Sequence, residues 1–160
     1  PALVNSTRVD IDALVRRLSA SMTTLTRSAA IRRIYQRLAK AARSEIERSS
    51  YLVLKQLTEG GPARITELAQ HFGVEPSTLS RHVSSLTESG LVRKQADPSD
   101  GRAALAAATA DGYALVEAVE KERRAFFASI LADWDPEDAE RLVELIERFN
   151  HDITDHLDRE

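Results

Sequence analysis

Apolar residues recur at helical spacing along most of the chain, with breaks near residue 60 and between residues 90 and 108. Val9, Leu14, Leu18, Leu25, Ile31, Ile34 and Leu38 mark a long helical region over roughly 9–41, uninterrupted by Pro or Gly. A second helix carries Ile46, Leu54 and Leu57 inward, with Ser44 and Glu47 spaced as a capping box, and ends near Gly60, Gly61 and Pro62. Leu68, Ala69 and Phe72 define a short third helix from about Ile65 to His71, and Gly73 is its turn residue. Over Pro76 to Ser89 the spacing of Leu79, Val83 and Leu86 puts one apolar stripe on a fourth helix. Leu91 and Val92 then open a strand, and the run Asp97, Pro98, Ser99, Asp100, Gly101 is turn chemistry for the tip of a hairpin. Thr109 as N-cap and Asp111 in the first turn start a fifth helix that reaches about Leu131 through Leu115, Val119, Phe126 and Ile130. Asp135 followed by Pro136 starts a sixth, striped by Leu142, Ile146, Phe149, Ile153 and Leu157.

The expected fold is mainly α, with about six helices and one small β-hairpin. Within Thr66–Arg102 the order is two short helices around a tight turn, a strand and a charged hairpin, which is the order of a winged helix-turn-helix. The chain accordingly divides into an N-terminal dimerisation helix (1–43), a DNA-binding lobe (44–110) and C-terminal dimerisation helices (111–160).

Charge adds to this picture because it is unevenly spread. Residues 1–55 hold 11 basic and 4 acidic side chains (+7), residues 56–110 hold 5 and 6 (−1), and residues 111–160 hold 6 and 15 (−9). The acidic last third keeps its helical stripe, so it reads as an amphipathic helix with an acidic outer face. Packing of the basic first helices against it, within or between subunits, follows as an expectation. At 160 residues and 42% apolar content, the chain buries one core, or one lobe plus long helices that need a partner to cover them.

Several function classes are excluded. No Cys means no disulfide, thiol chemistry or Cys-type zinc site, and none of His71, His82, His151 and His156 pair at the i, i+4 metal spacing. No metal or cofactor is expected. Neither a Ser-centred Gly-rich elbow nor a phosphate-cradling loop is present, so catalysis is not expected either. No stretch approaches the roughly 20 apolar residues of a membrane span, and the expectation is a cytoplasmic protein.

The chemistry that remains points to DNA. Opposite the stripe of the fourth helix lie Ser77, Thr78, Ser80, Arg81, His82, Ser84 and Ser85. Short hydroxyls let a backbone come close, and Arg81 reaches a base edge or phosphate. A merely solvated helix usually carries Glu and Lys there, being better helix formers than Ser and Thr. On the hairpin, Arg93 and Lys94 add positive charge, and Arg102 leaves the tip where it can enter a minor groove. The acidic tip residues can hold its guanidinium, or Asp100 and Arg102 simply pair to stabilise the turn.

On these pieces the chain resembles the multiple antibiotic resistance regulator (MarR) family: TELAQHFGVEPSTLSRHVSSLTESGLVRK, then DPSDGR, then TADG opening the next helix. The resemblance implies a homodimer with intertwined N- and C-terminal helices and two winged helices on a near-palindromic operator of double-stranded DNA, acting as a repressor. It implies that Ser77, Thr78, Ser80, Arg81 and His82 face the major groove and that Asp100 and Arg102 belong to the wing's contact motif. It also implies release by a small lipophilic or phenolic effector, for which Arg32, Tyr35, Arg37 and Tyr51 are the candidate cleft residues.

Three departures shape the expectation. Glu75 stands at the N-cap of the recognition helix, where its charge lies close to incoming phosphates and its side chain caps poorly. After Arg102 comes ALAAATADG, and alanine's low strand propensity predicts a short or mobile wing. The lobe is close to neutral, which leaves a winged-helix module for protein interaction as the competing reading.

Overall fold

The structure, a computed structural model, describes residues 10–27 and 46–159, without the side chains of residues 26, 27 and 101–103. Among the described residues there are six helices and one two-stranded antiparallel sheet: α1 (Ile11–Arg27), α2 (Arg48–Glu59), α3 (Ile65–Phe72), α4 (Pro76–Glu88), β1 (Val92–Asp97), β2 (Asp100–Ala108), α5 (Ala110–Leu131) and α6 (Pro136–Leu157). They form two compact units that divide between Val116 and Glu117. The predicted helical region beyond Arg27 lies outside the described residues.

The core of the first unit is built by stripes that face one another. Tyr51, Val53, Leu54 and Leu57 of α2 are buried with Leu68 and Ala69 of α3, Leu79, Val83 and Leu86 of α4, Val92 of β1 and Ala106 and Ala107 of β2. α2 packs on α4 and on β2, and α3 packs on α4, so each apolar stripe is covered by another. Full burial of a leucine is worth roughly 1.5–3 kcal/mol, and this is the main force holding the lobe together.

Local chemistry sets the joints. α3 ends where Gly73 adopts a left-handed φ of 61°, with its N–H on the carbonyls of Ala69 and Gln70. A side chain there would meet the steric penalty that glycine avoids, and the turn to α4 depends on it. Pro136 occupies the first position of α6 behind Asp135, whose carboxylate accepts from the Glu137 N–H at 2.9 Å. Thr109 fastens the hairpin's base: its hydroxyl donates to the Gly90 carbonyl at 2.7 Å and accepts from the Gly112 N–H at 3.1 Å. A Cβ on buried Gly112 would run into the Leu91 carbonyl oxygen, which explains glycine in the TADG segment.

Two expectations are corrected. α2 begins at Arg48 with Glu47 as its N-cap and no side-chain cap bond, so the Ser44–Glu47 box does not start it; Ile46 precedes the helix and Ser44 lies outside the described residues. The wing is not short, since β1 has 6 residues and β2 has 9. Pairing runs from Val92 opposite Ala108 to Asp97 opposite Asp100, with an irregularity at Ala96/Asp97. Alanine serves in β2 because both of its edges are used. Ala106 exchanges N–H···O bonds of 3.1 and 2.9 Å with Ala63, on the side away from β1. Strand propensity follows such surroundings more than the residue alone, and small side chains let β2 sit close to the core.

The long helices contrast with this lobe. α1 exposes Ile11, Leu14, Val15, Leu18, Met22 and Leu25, and no residue of α6 is buried.

Candidate nucleic-acid interface

α4 presents the surface that its sequence pattern requires. With Leu79, Val83 and Leu86 turned into the core, Ser77, Arg81 and Ser84 are exposed, and Thr78, Ser80 and His82 are half-buried at the flanks of the outer face. Arg81 Nη2 lies 3.5 Å from Thr78 Oγ1, one turn back, a long contact that leaves the guanidinium's other donors available. Glu75 caps α4 only through its extended backbone; its side chain makes no cap bond. Pro76 carries no N–H, and the Thr78 and Leu79 N–H groups both donate to the Glu75 carbonyl, at 3.0 and 3.2 Å.

His82 is tied to the fold. Its Nδ1 stands 3.0 Å from the hydroxyl of Ser50, a buried residue of α2. The ring therefore braces α4 against α2, and His82 stays half-buried at the flank of the outer face. No sequence signal marks this pair, since the partners are 32 residues apart.

On the wing, Arg93 and Lys94 are exposed in β1 and Asp100 is exposed at the start of β2. Arg102 follows in β2, and its side chain lies outside the described residues. The tip is a tight hairpin in which Pro98 and Ser99 separate the paired Asp97 and Asp100.

Asp97, the last residue of β1, is tied inward to the lobe. It is buried at 7% exposure, and its Oδ1 accepts from the Ser99 backbone N–H at 2.8 Å and from the Ser99 hydroxyl at 2.6 Å. Its Oδ2 accepts from Arg64 Nε at 2.7 Å and forms an ion pair with Arg64 Nη2. The two Ser99 bonds, followed by Arg64, hold the carboxyl at about 2, well below the usual carboxylate range. The same pairing raises Arg64 above its ordinary value. Ser99 was legible as turn chemistry, because an Asp two residues before a free N–H forms an Asx-turn. Arg64, at the N-cap of α3, was not, since contact across 33 residues leaves no periodic trace.

Of the candidate effector residues, Arg32, Tyr35 and Arg37 lie outside the described residues, and Tyr51 belongs to the lobe's core at 4% exposure. Among the described residues, no three His, Asp or Glu side chains gather as a cation site requires. No helix among them is long and apolar enough to cross a membrane.

Comparison with known proteins adds a second line of argument. A family model described as MarR family matches residues 46–104, the segment from the start of α2 into β2. The uncharacterized HTH-type transcriptional regulator YxaD of Bacillus subtilis (strain 168) is 36% identical over 141 residues, which cover 88% of this chain and 96% of that protein. The HTH-type transcriptional repressor Rv2887 of Mycobacterium tuberculosis (strain ATCC 25618 / H37Rv) is 28% identical over 64% of this chain and 73% of its own. Among solved structures, that of RV1404 from Mycobacterium tuberculosis superposes with a TM-score of 0.73 at 26% identity, covering 91% of this chain and 95% of the other. A MarR family protein from Bacillus stearothermophilus superposes at 0.71 and 21% identity, over 87% and 97% of the two chains.

Proposed function

The chain belongs to the MarR family of DNA-binding transcriptional regulators, and on that premise we propose that it is a repressor that grips a near-palindromic operator as a homodimer. The observation that carries this reading is the outer face of α4, where Ser77, Arg81 and Ser84 are exposed while every bulky apolar residue of the helix's stripe is buried. Such a face enters a major groove closely, and Arg81 has the bidentate donor geometry that reads guanine. The wing supplies Arg93, Lys94 and Arg102 as the flanking contacts.

The homodimer reading is supported by α1 and α6, whose apolar stripes stand exposed in the single chain. A second copy covering them would remove this apolar surface from water and set the two α4 helices at a fixed separation. Half-sites would then repeat at about one helical turn, ~10 base pairs centre to centre. Release by a small lipophilic or phenolic effector and a cytoplasmic location belong to the same reading. Tyr51 is left out of the effector site, because its ring is used in the core.

Selection of bound duplexes from a random pool by the purified protein tests the proposal. Recovery of a sequence with two inverted half-sites at that spacing is expected, with log affinity falling steeply as log salt rises. Failure to enrich any sequence would overturn the operator reading and favour a protein-interaction role for the lobe.

A further inference from the structure

The cluster of Arg64, Asp97 and Ser99 lies outside the contacts assigned to DNA, yet it ties together two parts of the lobe that must keep a fixed geometry on a duplex. Arg64 is the residue from which α3 starts, and Asp97 is the last residue of β1, opposite Asp100 across the tip. Both carboxylate oxygens of Asp97 are occupied, one by Ser99 at 2.8 and 2.6 Å and the other by Arg64 at 2.7 Å. A buried carboxylate with no free lone-pair direction makes no DNA contact of its own. Left unpaired beneath a wing that approaches phosphates, it would be costly to bury and would repel the backbone. The planar Arg64 fork meets it with two nitrogens on one oxygen, which fixes direction as well as charge.

We infer that Arg64 and Asp97 form a latch that positions the wing, setting the angle of its tip against α3 and α4 so that the strand carrying Arg102 meets the duplex in register with the recognition helix. The inference rests on the reading of the wing as a DNA contact. Arg64 is thus a positioning residue, acting through Asp97 and Ser99 on the two-residue turn they brace. Wing contacts and α4 contacts then depend on one another although the two elements bind different parts of the duplex.

A thermodynamic cycle on the full-length protein separates this role from simple stabilisation. Affinity for the duplex recovered from the random pool is measured for wild type, Arg64→Gln, Arg102→Ala and the double variant, with thermal unfolding followed in parallel. The latch predicts that Arg64→Gln weakens binding about tenfold in the wild-type background and less than about twofold once Arg102 is gone. Arg64→Lys, which keeps the charge and loses the fork, should recover only part of the loss. Equal losses in both backgrounds would overturn the latch and leave a merely structural bridge. Wild-type affinity in Arg102→Ala would instead overturn the wing reading, and the latch with it. Should Arg64→Gln fail to fold, Ser99→Ala removes one of the bonds to Asp97 and must give the same non-additivity at about threefold.

Discussion

α4 and α6 carry the same kind of sequence pattern and meet opposite fates. In α4, Leu79, Val83 and Leu86 are at most 1% exposed, whereas in α6 the residues Leu142, Ile146, Phe149 and Ile153 are between 36% and 50% exposed. The first stripe is covered by α2, α3 and β1. An amphipathic period states that a face needs cover; it does not state what covers it. The lobe completes its own core, whereas the stripe of α6 stands exposed in the single chain.

Leu86→Ala should have the largest effect on this contrast. A fully buried leucine removed from a closed core costs about 2–5 kcal/mol, and urea unfolding followed by circular dichroism would register it. A loss below about 1 kcal/mol would mean that the lobe is not the self-sufficient partner in the comparison. The matching test on α6 is the pair Ile146→Asp and Phe149→Asp. On the proposed homodimer, sedimentation should report a dissociation constant raised at least about hundredfold with the lobe still folded, since the substitutions put charge on two apolar positions of the exposed stripe. An unchanged dimer would show that the exposed stripe of α6 is not what holds two copies together.

Gly112→Ala comes next, because the added Cβ meets a backbone oxygen that cannot swing away. A destabilisation of about 1–3 kcal/mol in thermal unfolding is expected, and none would contradict the close approach of α5 to the Leu91 turn. Arg81→Ala addresses the outer face instead of the inner one. Operator affinity should fall by about 1–3 kcal/mol with relaxed sequence preference, read by competition between selected and random duplexes, while unfolding stays the same.

The smallest effect concerns acid. Folding holds the Asp97 carboxyl at about 2, so its stabilisation is complete above the ordinary carboxylate value and is lost as pH falls towards 2. Asp97→Asn should therefore flatten part of the decline in stability below about pH 4 and leave the slope near neutrality unchanged. A variant whose acid profile matches wild type would remove Asp97 from the charged groups that matter to the lobe.

Much of the lobe was legible because its signals are local. Leu79, Val83 and Leu86 are spaced by a helical period, Gly73 follows a short amphipathic run, and Asp135–Pro136 is a helix start in two residues. Local rules also misled. Ser44 and Glu47 had the spacing of a capping box, yet α2 starts at Arg48, and a run of alanines with low strand propensity forms a nine-residue strand. In the second case the hydrogen bonds to β1 and to Ala63 outweigh propensity, which spans only about 1 kcal/mol. The exposure of Ser77, Arg81 and Ser84 on α4 followed from the helical period. The inward ties of the site did not: His82 to Ser50, Thr109 to Gly90 and Asp97 to Arg64 link residues between 19 and 33 positions apart.

Period and residue type were therefore enough for the order of the elements, the inner and outer faces of α4 and the turn at the wing tip. Packing alone decided which stripes are closed within one chain, which polar side chains brace the recognition helix and where the Asp97 carboxylate points. The reason is physical. Helix and turn preferences act over a few residues, whereas burial and ion pairing act between whichever groups the chain brings together, at separations that leave no mark on its spacing.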